Sequence, residues 1–160
     1  MFDNIYKNKR VLITGHTGFK GSWLALWLHR LGAEVHGYAL PPPTAPSHFA
    51  ACRLHELLTT HTVSDIRDAA AVERSVRERQ PDVIFHLAAQ PLVRASYSDP
   101  CGTFEVNVMG TANLLEAVRQ AGKPCAVVVV TSDKCYEDQG RFPGCREDDP
   151  MGGHDPYSAS

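Results

Sequence analysis

Short runs of apolar and β-branched residues alternate with longer segments of helical period along this 160-residue chain. The runs predict five strands, over residues 10–14, 34–38, 60–63, 83–87 and 126–132. Between the first two, Leu24, Leu28 and Leu31 recur at helical spacing and predict a helix over residues 21–31 that ends at Gly32. This alternation predicts an α/β fold, a doubly wound parallel sheet in a three-layer αβα arrangement.

The remaining segments of helical period predict further helices over residues 68–80, 103–120 and, more briefly, 49–58. Asp68 is a good cap for the first of these helices, and Pro81 stops it. Four prolines make residues 40–47 a loop. After Ser132 the chain becomes polar and rich in proline and glycine, which predicts no further strand before a helix start near Tyr157.

Composition and charge narrow the functional classes. The chain is 43% hydrophobic and 21% charged, which suits one folded domain, and its formal charge of −2 offers no field for nucleic acid or an anionic membrane. It has no apolar run of the roughly 18 residues that span a bilayer, and no apolar leader near its first residue. Five cysteines without a C-x-x-C pair fit neither a disulfide framework nor a zinc site, so we predict a cytoplasmic protein without a bound metal.

Three glycines at three-residue intervals follow the first predicted strand and open the first helix. Glycines in this context let the backbone approach a pyrophosphate, whose charge is stabilised by the free N–H groups of a helix N-terminus. The alternative is a glycine-rich turn without a ligand, but the strand before it and the helix after it favour dinucleotide binding. The predicted cofactor-binding residues of this turn are Gly15, Thr17, Gly18, Phe19, Lys20 and Gly21.

The next two strands bear on the adenosine end of such a cofactor. A dinucleotide site usually has an acidic residue after the second strand, but here that strand runs into Ala39 and Leu40. Neither an acid for the ribose nor an arginine for a 2′-phosphate is present, which leaves NAD and NADP both open. Past the third strand, Asp65 is placed to bond the adenine amino group and Ile66 to pack on its ring; the alternative is that Asp65 simply ends the strand.

The last two strands are followed by residues that are candidates for cofactor binding or catalysis. The fourth is followed by small and apolar residues that would let a flat cofactor lie close, namely Leu87, Ala88 and Ala89. The alternative there is tight packing, with His86 in a satisfied core hydrogen bond. The fifth is followed by a hydroxyl, a carboxylate and an amine, from Ser132, Asp133 and Lys134. Ligands bind at this edge of parallel sheets, although a solvated exit from the strand would look the same.

Together with Asn107, Gly110, Thr111 and Tyr157, these motifs resemble the extended short-chain dehydrogenase/reductase family, which modifies nucleotide sugars. Longer strings, at residues 11–24, 86–93, 131–136 and 153–160, are similar to its CDP-glucose 4,6-dehydratase branch. The resemblance covers nearly the whole chain. It implies a Rossmann-like domain, NAD as cofactor, and CDP-glucose or a related nucleotide sugar as substrate for deoxysugar and O-antigen biosynthesis. A lysine at position 134, where relatives have glutamate, also matches that branch.

The resemblance implies roles for four catalytic residues. Tyr157, as a phenolate, would remove the proton of the sugar O4 hydroxyl while C4 gives a hydride to NAD, and Ser132 would hold O4. Lys134 would then remove the C5 proton, and Asp133 would protonate the departing C6 hydroxyl before hydride returns to C6. A tyrosine titrates near 10 in water, so the phenolate needs positive charge, which the family supplies from a lysine four residues later and from the nicotinamide.

That lysine would be residue 161, and the family's substrate domain would follow it. We therefore interpret residues 1–160 as an incomplete NAD-binding domain, expected to be inactive alone. Two alternatives stay open, a nucleotide-sugar epimerase or reductase and a non-catalytic NAD-binding module. A homodimer is also a candidate, through an apolar face of residues 103–120 that core packing would explain equally well, formed by Val106, Leu114 and Val118.

Overall fold

A computed structural model describes residues 2–137 and 144–160 of the chain. Its sheet has five parallel strands in the order β3-β2-β1-β4-β5, which are β1 (Arg10–Thr14), β2 (Glu34–Ala39), β3 (Thr60–Val63), β4 (Val83–His86) and β5 (Ala126–Val129). The chain moves outward from β1 to β3 and then returns to the other side of β1. The strand order therefore reverses between β1 and β4, where open α/β sheets bind ligands. This topology confirms the predicted doubly wound fold.

The helices are α1 (Phe19–Arg30), α2 (His48–Ala51), α3 (Ala69–Arg79), α4 (Val93–Ser98), α5 (Pro100–Phe104), α6 (Gly110–Ala121) and α7 (Pro156–Ala159). Helix α3 begins and ends as predicted, because the Asp68 carboxylate accepts the Ala71 N–H and Gln80 takes a left-handed conformation before Pro81. Single 3-10 turns occupy Phe2–Asn4, Leu54–Glu56 and Asp133–Cys135.

The sheet is covered on both faces. On one face α1 packs on the central strands, with Ala25 and Leu28 against Val11, Ile13 and Val35. On the opposite face α3 and α6 pack together over a cluster that contains Leu12, Val72, Val76, Ile84 and Leu114. Alternate residues of β1 therefore enter different layers, as the period of a strand requires.

The structure differs from the predicted elements at several points, and the helix predicted over residues 49–58 is a short helix followed by a separate 3-10 turn. The helix predicted over residues 103–120 is divided, because a turn of π-helix (Glu105–Met109) separates α5 from α6. The fifth strand ends at Val129 rather than at residue 132, and α4 was not predicted. Within the polar stretch that follows Ser132, residues 138–143 lie outside the described residues.

The predicted dimer face belongs to the core. Leu114 is fully buried, and Val106 and Val118 pack against the same core cluster beneath α6. Of the two explanations that the sequence allowed for these residues, the structure selects core packing. In residues 2–137 and 144–160, no helix has the length and apolar character needed to cross a membrane.

Candidate active site

The turn between β1 and α1 depends on glycines that have no room for a side chain. Gly15 has a left-handed backbone (φ +77°), and a Cβ on it would lie 2.7 Å from the backbone nitrogen of Ala88. A Cβ on Gly21 would overlap the Gly15 carbonyl. Gly18 has more space, with its nearest neighbour at 3.4 Å, and it precedes α1 without a capping side chain. The first N–H groups of α1 are therefore available to donate to a ligand, and a pyrophosphate can accept their hydrogen bonds.

The other predicted residues of this turn have different environments. Thr17 is buried, and its hydroxyl donates a hydrogen bond of 2.8 Å to the Leu40 carbonyl, which ties the turn to the end of β2. Phe19 and Lys20 are exposed in the first turn of α1. The structure thus gives Thr17 a structural hydrogen bond and leaves Phe19 and Lys20 accessible beside the glycines.

A buried histidine ties the carboxyl ends of β1 and β4 together. His86 Nδ1 lies 2.6 Å from Thr14 Oγ1, and the Leu87 and Ala88 N–H groups donate to that oxygen at 3.2 Å each. Because Thr14 Oγ1 already accepts two backbone donors, its own proton goes to Nδ1. Burial lowers the pKa of His86 to about 4, so the imidazole is neutral at pH 7. This network fixes the backbone against which Gly15 packs.

The second nitrogen of this imidazole bonds to the helical segment that follows β4. His86 Nε2 donates to Thr111 Oγ1 at 3.0 Å, and the Thr111 hydroxyl donates to the Asn107 carbonyl at 2.6 Å. Asn107 lies in the π-turn; its side chain accepts the Gln90 N–H at 2.8 Å and donates to Ser160 Oγ at 2.8 Å. Asn107 therefore connects the loop after β4 with the residue that follows α7.

The turn between β3 and α3 is held from several sides. The Tyr38 hydroxyl donates to the Asp65 carbonyl at 2.8 Å, and Ile66 is buried against Gly110, where a Cβ would come within 2.7 Å of Ile66 Cγ2. The Arg67 guanidinium binds the Asp65 carboxylate, with Nη2 2.7 Å from Oδ2. Hydrogen bonding from Arg67, together with its charge, lowers the pKa of Asp65, so this carboxylate is ionised at neutral pH.

A cleft of about 590 Å³ opens at the carboxyl ends of β4 and β5. Its lining includes Ala88 and Ala89 after β4, Asn107 from the π-turn, Ser132 after β5, and Tyr157 from α7. The fold thus brings together two of the predicted catalytic residues and two of the predicted cofactor-binding residues. The glycine turn and the Asp65 turn are outside this lining, farther along the same edge of the sheet.

The other two predicted catalytic residues lie just beyond the cleft. Ser132 begins the 3-10 turn Asp133–Cys135, and its Oγ accepts the Lys134 N–H at 3.2 Å. Asp133 and Lys134 are exposed and are not in the lining of the cleft. Hydrogen bonds from Ser158 are the main cause of the lowered pKa of Asp155, and the charge of Lys134 contributes to it. Lys134 therefore lies near the cap of the helix that carries Tyr157.

Sequence reasoning missed several of these connections. The bond between Thr14 and His86 joins residues 72 positions apart, and no local pattern indicates it. Asn107 was noticed only as part of a motif, because nothing in the sequence signals a π-turn. Arg67 could have been suspected, since it is a basic residue two positions after Asp65 at the end of a strand.

Comparison with known proteins decides the family. The model of the family described as GDP-mannose 4,6 dehydratase matches residues 12–160. The chain belongs to this dehydratase family. A curated member, the CDP-glucose 4,6-dehydratase of Salmonella typhimurium, is 55% identical over 157 residues, which is 98% of this chain and 44% of that protein. The GDP-mannose 4,6-dehydratase of Yersinia enterocolitica is 40% identical and covers 71% of this chain and 32% of its own length.

Solved structures of two epimerases have the same fold as this chain. The UDP-glucose 4-epimerase of Thermus thermophilus, in complex with NAD, is 34% identical with a TM-score of 0.75, and the match covers 94% of this chain and 46% of that one. The UDP-glucose 4-epimerase of Brucella ovis, also in complex with NAD, is 28% identical with a TM-score of 0.78, over 96% and 44% of the two chains. The chain spans less than half the length of these relatives.

Proposed function

We propose that the protein to which this chain belongs is an NAD-dependent 4,6-dehydratase that converts CDP-glucose to CDP-4-keto-6-deoxyglucose. The observation that carries the proposal is the 55% identity to the Salmonella enzyme over 98% of this chain. The geometry supports it, because Ser132 and Tyr157 line one cleft with Ala88 and Ala89. The exposed pair Asp133 and Lys134 follows directly after Ser132 and favours dehydration over epimerisation, since epimerisation at C4 does not expel the C6 hydroxyl and needs no acid for that step.

The residues along this edge of the sheet fit a dinucleotide. Gly15 and Gly21 allow neighbouring backbone segments to pack closely, because a Cβ at either would overlap backbone atoms, and the uncapped first N–H groups of α1 are suited to bind a phosphate. The wider set of residues proposed to hold NAD is Gly15, Thr17, Gly18, Phe19, Lys20, Gly21, Asp65, Ile66, Leu87, Ala88 and Ala89. When bound, NAD supplies the hydride acceptor for sugar C4 and the hydride that is returned to C6.

The chain's own residues handle the protons of the reaction. Tyr157 removes the proton of the O4 hydroxyl, and Ser132 holds O4 by a hydrogen bond. The resulting 4-ketone acidifies the C5 proton, which Lys134 removes in its uncharged form. Asp133 then gives a proton to the C6 hydroxyl, which leaves as water, and Lys134 returns a proton to C5 as hydride reaches C6. Asp133 and Lys134 lie just beyond the cleft that Ser132 and Tyr157 line, so the proposal requires C5 and C6 of the sugar to extend from Tyr157 toward them.

The proposal also covers the rest of the protein, its location in the cell and the pathway in which it acts. The described chain is the cofactor-binding portion, and a substrate domain belongs to the remainder of the protein. All five cysteines lie within the described residues and are free thiols, which supports a reducing, cytoplasmic location. The product chemistry supports a place in deoxysugar synthesis for lipopolysaccharide.

We propose a homodimer through a different face from the one that the sequence indicated. Phe104 and Leu115 are 39% and 45% exposed on α5 and α6, and Val108, 41% exposed in the π-turn between them, also lines the cleft. A second copy of the protein would cover Phe104 and Leu115. Light scattering should give twice the monomer mass, and Leu115→Glu should reduce it; an unchanged mass would exclude this face.

The full-length protein, CDP-glucose and NAD together test the proposed activity. The 4-keto-6-deoxy product absorbs in alkali, so its formation without net reduction of NAD supports the proposal. UDP-glucose and GDP-mannose are the matched controls for the nucleotide. Formation of a C4 epimer without that absorbance would support the epimerase alternative, and NAD binding without turnover of any nucleotide sugar would support the non-catalytic module.

A further inference from the structure

We infer that Arg67 is a positioning residue that sets adenine specificity, because it holds the Asp65 carboxylate with one acceptor position directed to the ligand. The inference rests on the proposed NAD-binding function. It concerns the turn between β3 and α3, where Asp65 is the proposed partner of the adenine amino group. The contacts of Arg67 determine which part of that carboxylate stays available.

An ionised carboxylate offers about four acceptor positions, two on each oxygen. Arg67 occupies three of those of Asp65. Its Nε and Nη2 face the two oxygens as a fork, with Nη2 2.7 Å from Oδ2 and Nε 3.1 Å from each oxygen. Its backbone N–H donates to Oδ1 at 2.9 Å. The single Nε–H is shared between the two oxygens, so three donors serve about four acceptor positions and leave this carboxylate, which is 27% exposed, able to accept one further donor. That donor can be the adenine amino group.

The fork also removes the rotational freedom of the carboxylate. A bidentate contact defines the plane of both groups, which a single-point ammonium cannot do. The other side of the guanidinium is fixed as well, because Nη1 lies 3.2 Å from Glu105 Oε2 in the π-turn. The backbone of the turn is anchored separately, by Asn113 Nδ2 donating to the Ile66 and Arg67 carbonyls at 3.2 Å each. Removing the guanidinium should therefore leave the carboxylate held only by the Arg67 backbone N–H, free to rotate about that one bond, without unfolding the turn.

The turn between β3 and α3 must provide more of the recognition of adenosine than the same turn does in other dinucleotide sites. The end of β2 carries Ala39 and Leu40 where an acid would hold the adenosine ribose, and the Leu40 carbonyl is bonded to Thr17. Asp65 is then the acidic group at this end that can read the base. Discrimination between purines should therefore depend strongly on how the two carboxylate oxygens of Asp65 are held.

The test compares two nucleotides that differ only at the purine. NAD has an amino group at C6, whereas nicotinamide hypoxanthine dinucleotide has an oxo group that would face the Asp65 carboxylate unfavourably. Calorimetry on the full-length protein should give a wild-type preference for NAD of roughly tenfold or more, the value expected for one hydrogen bond to a charged acceptor. In Arg67→Met the preference should fall to within about threefold, mostly through weaker NAD binding. Arg67→Lys should fall between these values.

Two further variants locate the effect. Arg119→Met removes another arginine paired with a carboxylate, 2.6 Å from Glu116 and more exposed than Arg67, and should leave the preference unchanged. Asp65→Asn can turn its amide toward a C6 oxo group, so it should bring the preference close to one or invert it. If Asp65→Asn leaves the preference intact while Arg67→Met lowers it, Arg67 does not act through Asp65 and the inference is wrong.

The remaining outcomes separate the inference from the proposed function. Equal weakening of both nucleotides in Arg67→Met would indicate a merely structural role and overturn the inference. A protein that binds NAD and converts CDP-glucose but does not discriminate the two purines would overturn the inference and leave the function standing. A folded protein that binds neither nucleotide would overturn both.

Discussion

Acidification from pH 7 to pH 5 should destabilise the protein through two buried histidines. Burial lowers the pKa of His86 to about 4, and burial together with the charge of His61 lowers the pKa of His16 to about 4. In the unfolded chain both titrate near 6.5, so below that pH the unfolded state binds more protons and stability falls. The stabilisation is complete above pH 6.5 and is lost as the pH falls toward 4.

The size of the effect follows from these values. Proton linkage gives a loss of about 2 kcal/mol for each histidine at pH 5, or about 4 kcal/mol for both, against a total stability of about 5–15 kcal/mol. Carboxylates do not compete in this range. Hydrogen bonds from Arg67 and Lys123 lower the pKa values of Asp65 and Asp82, so their contribution is lost only below the ordinary carboxylate range.

Urea unfolding followed by far-ultraviolet circular dichroism at several pH values measures this slope. Between pH 5 and 6 we expect about 2 kcal/mol per pH unit from the two histidines together, and about half of that in His86→Asn. The control is His154→Gln, because His154 is exposed. A His86→Asn protein with the wild-type slope would refute the assignment. If that variant does not fold, NMR titration of the native imidazoles is decisive, since two must stay neutral at pH 5.

Three further predictions concern the glycine turn and the catalytic residues. Gly15→Ala should lower the free energy of unfolding by at least about 1 kcal/mol, because it adds left-handed strain and a contact with Ala88, whereas Gly18→Ala should cost less; equal losses in urea unfolding would contradict this. In the full-length enzyme, Asp133→Asn should abolish dehydration yet retain part of C4 oxidation, seen as NADH absorbance; equal loss of both would argue against Asp133 as the acid. Tyr157→Phe should lower turnover about 100-fold or more with NAD affinity in calorimetry nearly unchanged.

The sheet was predictable because its information is local. Most strands are short runs of apolar and β-branched residues bounded by glycine, proline or polar residues, and parallel strands joined by helices leave few topologies. Asp68 and Pro81 marked the ends of α3 correctly for the same reason, since a cap and a helix breaker act on their immediate neighbours. The predicted membership of a nucleotide-sugar-modifying family was also confirmed, through motifs that are contiguous in the sequence.

The contacts among those motifs could not be predicted from the sequence. The tautomer of His86 depends on Thr14 and Thr111, which approach it from another strand and from a helix. The use of three acceptor positions of Asp65 by Arg67 depends on side-chain torsions within one turn. The fold places these residues at one edge of the sheet. Which of them form hydrogen bonds with each other depends on differences in distance of less than an ångström.

The π-turn explains why one helical segment can contact the whole edge. Residues two apart point to nearly opposite sides of a helix, so Glu105 bonds to Arg67 while Asn107 bonds to Gln90 and Ser160. One turn later, Gly110 leaves space for the Ile66 side chain, and the Thr111 hydroxyl accepts a hydrogen bond from His86 Nε2. This segment therefore fixes both the turn proposed for adenine and the cleft that contains Tyr157. A regular helix would lack the extra residue that a π-turn inserts and would shift either the side chains before Met109 or those after it. The division of this helix thus serves the contacts at this edge of the sheet. The helical period of the sequence carries no signal for those contacts, and it therefore predicted one continuous helix.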